Sequence, residues 1–72
     1  MVRTFRDVIA LWDSPADLAE DVGAKLDAVR KWGERDRIPS EYWQRTIDAA
    51  SARGKHISAA DLARLAVAAS EA

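Results

Sequence analysis

The chain has 72 residues, of which 49% are hydrophobic and 32% charged, with two prolines, three glycines and no cysteine. That length fits a single domain over 1–72, and a domain so small buries only about 60% of the surface of its unfolded chain. The composition excludes disordered, collagen-like and low-complexity chains, the missing cysteines exclude disulfides and thiolate metal sites, and the net charge of −1 argues against unspecific coating of nucleic acid.

The opening residues Met1-Val2-Arg3-Thr4-Phe5-Arg6-Asp7 lead straight into mixed charge, without the apolar stretch of a signal peptide. No later apolar run approaches the roughly 20 residues of a membrane span, so no membrane partner is expected, and the absence of cysteines fits a cytoplasmic location. Val2, Phe5, Val8, Ile9 and Trp12 recur at helical spacing and predict a first helix over about 4–12. Ser14 has the chemistry of an N-cap, Pro15 suits the first helical position, and Asp17 answers the helix dipole. Leu18, Ala19 and Val22 form the buried stripe of this second helix, and Gly23 is its stop.

A third helix is expected from about Lys25 to Trp32, with Val29 and Trp32 on one face, followed by a loop of Gly33-Glu34-Arg35-Asp36-Arg37. Pro39 and Ser40 open a fourth helix that runs to about Arg53 and buries Trp43, Ile47 and Ala50, with Gly54 as its stop. Ser58 and Asp61 make a second capping signal for a last helix from Ala59 to about Ala69, whose Leu62, Leu65 and Ala66 face the core. The expected fold is all-α, built from five short helices without strands.

Between Ser14 and Trp32 two short helices flank a turn with one glycine. Ala19 is small where they approach closely, and Val22 and Val29 are apolar where both meet a common core. A helix-turn-helix needs this pattern, because it crosses two helices steeply over a three- or four-residue turn. Residues 14–23 hold Asp17, Glu20 and Asp21 and no base. Residues 24–37 hold five bases against three acids.

Leu18-Ala19, Val22-Gly23, Val29 and Trp32 at their mutual spacings, followed by Ile38-Pro39, resemble the lambda-repressor-like, Cro-type helix-turn-helix regulators of phage and prophage origin. The resemblance covers roughly residues 4–53. It implies a repressor or activator that binds operator DNA as a homodimer, with half-sites about 34 Å apart, and often controls its own promoter. RNA polymerase or another regulator is a further candidate partner. Two positions depart from the pattern: Pro15 stands where the family often has Gln, and Ala24 stands where a small polar residue commonly opens the recognition helix.

Docked as the resemblance implies, the helix over 25–32 presents Lys25, Leu26, Asp27, Ala28, Arg30 and Lys31 to the major groove. Asp27 suits a cytosine amino group, Leu26 or Ala28 a thymine methyl, Arg30 a guanine edge, and Lys25 and Lys31 phosphates. Arg35 and Arg37 are candidate backbone contacts. Each cation also fits a solvated helix face, and Asp27 fits a helix-dipole role without DNA. The competing reading is a protein-interaction module, an antitoxin or adaptor, for which acidic Asp17, Glu20 and Asp21 speak.

Trp12, Trp32 and Trp43 each fall on an apolar stripe and are expected in the core. His56 is the only histidine and has no second nitrogen or sulfur ligand, so no metal site is expected. No spacing singles out a catalytic partner for it, and the glycines form no phosphate-binding loop. A chain this short is also expected to have little room for a pocket of several hundred cubic ångströms. An enzyme and a cofactor are therefore not expected. The alanine-rich last helix, about 58–70, with Val67 left over from its core face, is a candidate dimerisation element.

Overall fold

The computed structural model of the chain describes the backbone of residues 2–71 and the side chains of residues 2–69; Met1 and Ala72 lie outside the described residues. It is all-helical, with five α-helices, one 3₁₀ turn and no strand among the described residues.

The first helix, α1, spans Phe5–Ile9 and is shorter than the periodicity suggested. Thr4 caps it by accepting from the Asp7 N–H at 3.1 Å, and the Asp7 carboxylate accepts from the Arg3 N–H at 2.9 Å. Beyond Ala10 the chain turns through i→i−3 bonds at Leu11 and Trp12. This turn carries the Trp12 ring into the core while its Nε1–H donates to Asp21 at 2.8 Å.

Helix α2, Pro15–Val22, starts as its cap chemistry requires: Ser14 is extended, and its hydroxyl accepts from the Asp17 N–H at 3.2 Å. Gly23 ends it in the left-handed region, at φ 71°. Ala24 N–H then reaches the Ala19 carbonyl at 2.9 Å, and Gly23 N–H the Glu20 carbonyl at 3.4 Å, the Schellman pair of bonds. Lys25 returns to extended geometry, and α3 begins at Leu26.

Helix α3 runs Leu26–Arg35, so Gly33 does not stop it and Glu34 and Arg35 belong to its last turn rather than to a loop. The stop is Asp36, left-handed at φ 53°, with the same Schellman pair: Arg37 N–H to the Trp32 carbonyl and Asp36 N–H to the Gly33 carbonyl. Aspartate tolerates this conformation better than most non-glycine residues, and a tertiary contact fixes it here. The Asp36 carboxylate accepts from the Arg6 N–H in α1 at 3.0 Å.

Ile38 is buried. Residues Ser40–Tyr42 make a 3₁₀ turn before α4, Trp43–Ala52, so the helix expected from Pro39 begins one turn late. The buried positions of α4 are Thr46 and Ala50, while Trp43 and Ile47 are only half-buried. Thr46 is admitted because its hydroxyl donates to the Tyr42 carbonyl at 2.8 Å. Helix α5, Ala59–Glu71, opens with a reciprocal box in which Ser58 N–H donates to the Asp61 carboxylate and Asp61 N–H to the Ser58 hydroxyl, both at 3.1 Å.

All five helices supply the core, among them Phe5 and Val8, Leu18 and Val22, Val29 and Trp32, Ala50, and Leu62 and Leu65. No helix among the described residues is long and apolar enough to cross a membrane.

Candidate nucleic-acid interface

The backbone between α2 and α3 decides which side of α3 faces outward. Only residues 23–25 separate the helices. Gly23 reverses the chain at a conformation where any side chain would be strained. Val22, Val29 and Trp32 then share one core, which turns one stripe of α3 inward. At 100° per residue the opposite stripe is Asp27, Arg30, Lys31 and Glu34, and all four are exposed. The helix is neither sunk into the interior nor merged with α2.

Of the residues singled out from the sequence, Lys25, Asp27, Arg30, Lys31 and Arg35 are exposed along α3 or at its N-cap, and Arg37 is exposed just beyond its end. Leu26 and Ala28 are half-buried on opposite flanks of the outward stripe. Ala28 packs against the core, whereas Leu26 is not among the residues that do. Lys25 occupies the N-cap position without a side-chain hydrogen bond to the first turn, so its side chain leaves the first N–H groups of α3 unanswered. Such a helix start attracts anions, and Lys25 adds a charge beside it.

Of the three acids of α2, Glu20 is exposed and Asp17 half-buried, and Asp21 is the one drawn into the fold. The Asp21 carboxylate accepts from Arg53 Nε at 2.5 Å and from Trp12 Nε1 at 2.8 Å, and its side chain is only 26% exposed. Arg53, then Trp12, hold its pKa below the usual carboxylate range. Asp21 thus ties the α1–α2 turn and α2 to the end of α4. Sequence reasoning missed Arg45, whose guanidinium lies 5.3 Å over the Tyr42 ring and reaches the Val22 carbonyl at the end of α2 at 3.5 Å. The three-residue spacing of Tyr42 and Arg45 on a helical segment was the available signal.

Beside the outward stripe lies an open groove of about 740 Å³, larger than so short a chain was expected to hold. Ala28, Lys31 and Arg35, at helical spacing, form one wall. Half-buried Trp43 supplies most of its aromatic surface, over the buried Phe5, Trp32 and Ile38, and Arg37, Pro39, Ser40 and Ala66 complete it. Trp43 is half-buried here because its ring stands in the groove, not fully in the core. Its Nε1–H donates to the Ile38 carbonyl at 2.8 Å. Trp12 and Trp32 are buried as expected, and Trp32 packs against Tyr42 with ring centroids 5.0 Å apart.

Among the described residues no three His, Cys, Asp or Glu side chains gather to hold a metal. No protein-family model, no curated protein and no solved structure matches the chain.

Proposed function

We propose that the chain is a sequence-specific DNA-binding transcriptional regulator, with α2, the turn at Gly23 and α3 acting as a helix-turn-helix in the manner of the Cro-type proteins it resembles. The observation that carries this reading is the outward stripe of α3: Asp27, Arg30 and Lys31 point away from a core that Val29 and Trp32 anchor. The major groove, about 12 Å wide, admits one such helix.

In this reading Arg30 reads a guanine through two hydrogen bonds, Asp27 accepts from a cytosine amino group, and Leu26 meets a thymine methyl. Lys25 and the start of α3 hold one phosphate, and Lys31, Arg35 and Arg37 track the backbone on the other side. Regulation is by occupancy and involves no chemical step. Two copies on an inverted repeat place their α3 helices about 34 Å apart.

The competing reading, an antitoxin or adaptor docking through an acidic α2, keeps Asp17 and Glu20 but not Asp21, whose carboxylate is committed to Arg53 and Trp12. Selection from a randomised duplex library tests the proposal. Enrichment of one inverted-repeat sequence is expected, and recovery of unenriched DNA after repeated rounds would refute it.

A further inference from the structure

The groove beside α3 has a composition that reading DNA does not require. Its floor is apolar and aromatic, and no acidic side chain lines it among the described residues. Lys31 and Arg35 stand one helical turn apart on its wall, and no ion pair among the described residues engages either. Like charges at that spacing repel, and an anion between them relieves the repulsion. The floor is held in place beforehand. Trp43 is fixed by its bond to the Ile38 carbonyl, and Trp32 by its packing on Tyr42.

A volume of about 740 Å³ lies within the roughly 300–1,000 Å³ typical of small-molecule sites. A stable protein partner needs about 800 Å² of surface on each side, which a single concavity does not offer. We propose that this groove binds a small aromatic organic anion, a ring-bearing carboxylate, sulfonate or phosphate, with its ring against Trp43 beside the edge of Trp32 and its charge between Lys31 and Arg35. Because the same two cations belong to the proposed DNA backbone contacts, occupancy weakens DNA binding. That consequence rests on the DNA reading of α3, whereas the site itself does not.

The test uses 8-anilino-1-naphthalenesulfonate as the aromatic anion and N-phenyl-1-naphthylamine as its uncharged counterpart, both added to the full chain without DNA. The sulfonate is expected to bind one to one, at least tenfold tighter than the neutral compound. It should shift the indole N–H signals of Trp32 and Trp43 and leave that of Trp12, which lies outside the groove on Asp21. Lys31→Glu with Arg35→Glu should weaken the sulfonate at least tenfold and the neutral compound by less than twofold, while Arg3→Glu with Lys55→Glu changes neither. Several sites per chain, an equal shift at Trp12, or undiminished binding to the charge-reversed variant overturns the assignment. Should that variant lose its near-ultraviolet dichroism, the indole shifts and the anion-to-neutral ratio of the unaltered chain decide. A chain that binds the sulfonate but selects no DNA refutes the DNA reading and leaves the site standing.

Discussion

Arg6 and Asp36 cap each other's helices. The Asp36 carboxylate accepts from the Arg6 N–H in the first turn of α1 at 3.0 Å, and the Arg6 guanidinium donates to the Gly33 and Glu34 carbonyls at the end of α3, at 2.7 and 3.1 Å. Each helix end thus meets a side chain of the charge its dipole favours. The contact also fixes where α3 stops, and with it the positions of Lys31 and Arg35.

Removing either side of this pair is expected to loosen α3 at its C-terminal end. Arg6→Ala should lower stability by about 1 kcal/mol in urea denaturation, the net value of a few exposed hydrogen bonds. Arg6→Lys should not restore it, because an ammonium lacks the planar fork that spans two carbonyls. Asp36→Ala should cost more, about 1–2 kcal/mol, since it also places an ordinary side chain in the left-handed region. Equal stability of all three variants and the unaltered chain contradicts the mutual cap.

Two glycines are expected to respond with opposite signs. Gly33 lies inside α3, and a Cβ there meets nothing within 4 Å. Gly33→Ala should therefore stabilise the chain by about 0.5–1 kcal/mol. Gly23 also has open space around it, but its φ of 71° penalises any side chain. Gly23→Ala should destabilise by about 1–2 kcal/mol. Thermal melts of the two variants make the comparison, and a shared sign refutes it.

The Asp21 cluster predicts acid sensitivity of a definite sign. Its folded pKa lies below the ordinary carboxylate range, with the hydrogen bond from Arg53 the largest cause and that from Trp12 the next. Above that range both folded and unfolded chains hold the charge, and the stabilisation is complete. As pH falls through the ordinary range the unfolded chain protonates first, and the contribution is lost by the time the folded carboxylate protonates. Asp61, held down by the Ser58 N–H, adds in the same direction. Asp21→Asn should lower stability at neutral pH and flatten its acid dependence. An unchanged pH profile would contradict the assignment.

Much of the fold was legible in local chemistry. Ser14-Pro15, Gly23 and the Ser58–Asp61 pair fix helix ends by hydrogen bonds within a few residues, and all three act as their residue types suggest. What escaped the sequence depends on distant partners. Gly33 looked like a stop, but the stop is Asp36, held by Arg6 some thirty residues away. Thr46 was not among the residues expected in the core, yet its hydroxyl is satisfied by the Tyr42 carbonyl one turn back and the residue is fully buried. Trp43 looked like core, and the groove it forms with Phe5 and Ile38 is a tertiary feature that periodicity cannot anticipate. The outward stripe of α3 was readable because Val29 and Trp32 fix its phase.

Arg30 and Lys31 are expected to differ in what they contribute on a selected duplex. Arg30→Ala should relax preference at one base pair at a cost of about 1–3 kcal/mol for that pair. Lys31→Ala should weaken all duplexes alike and reduce the slope of log affinity against log salt by about 0.9. Binding measured by fluorescence anisotropy at several salt concentrations separates the two. Identical behaviour of both variants rejects the assigned roles.

The outward stripe of α3 is tested most directly by ¹H–¹⁵N chemical-shift mapping of the chain against the selected duplex. The largest amide shifts should fall on residues 25–31, together with the side-chain Nε–H of Arg30, while the middle of α5 stays still. Shifts concentrated on α2 or α5, with residues 25–31 unmoved, would contradict the interface.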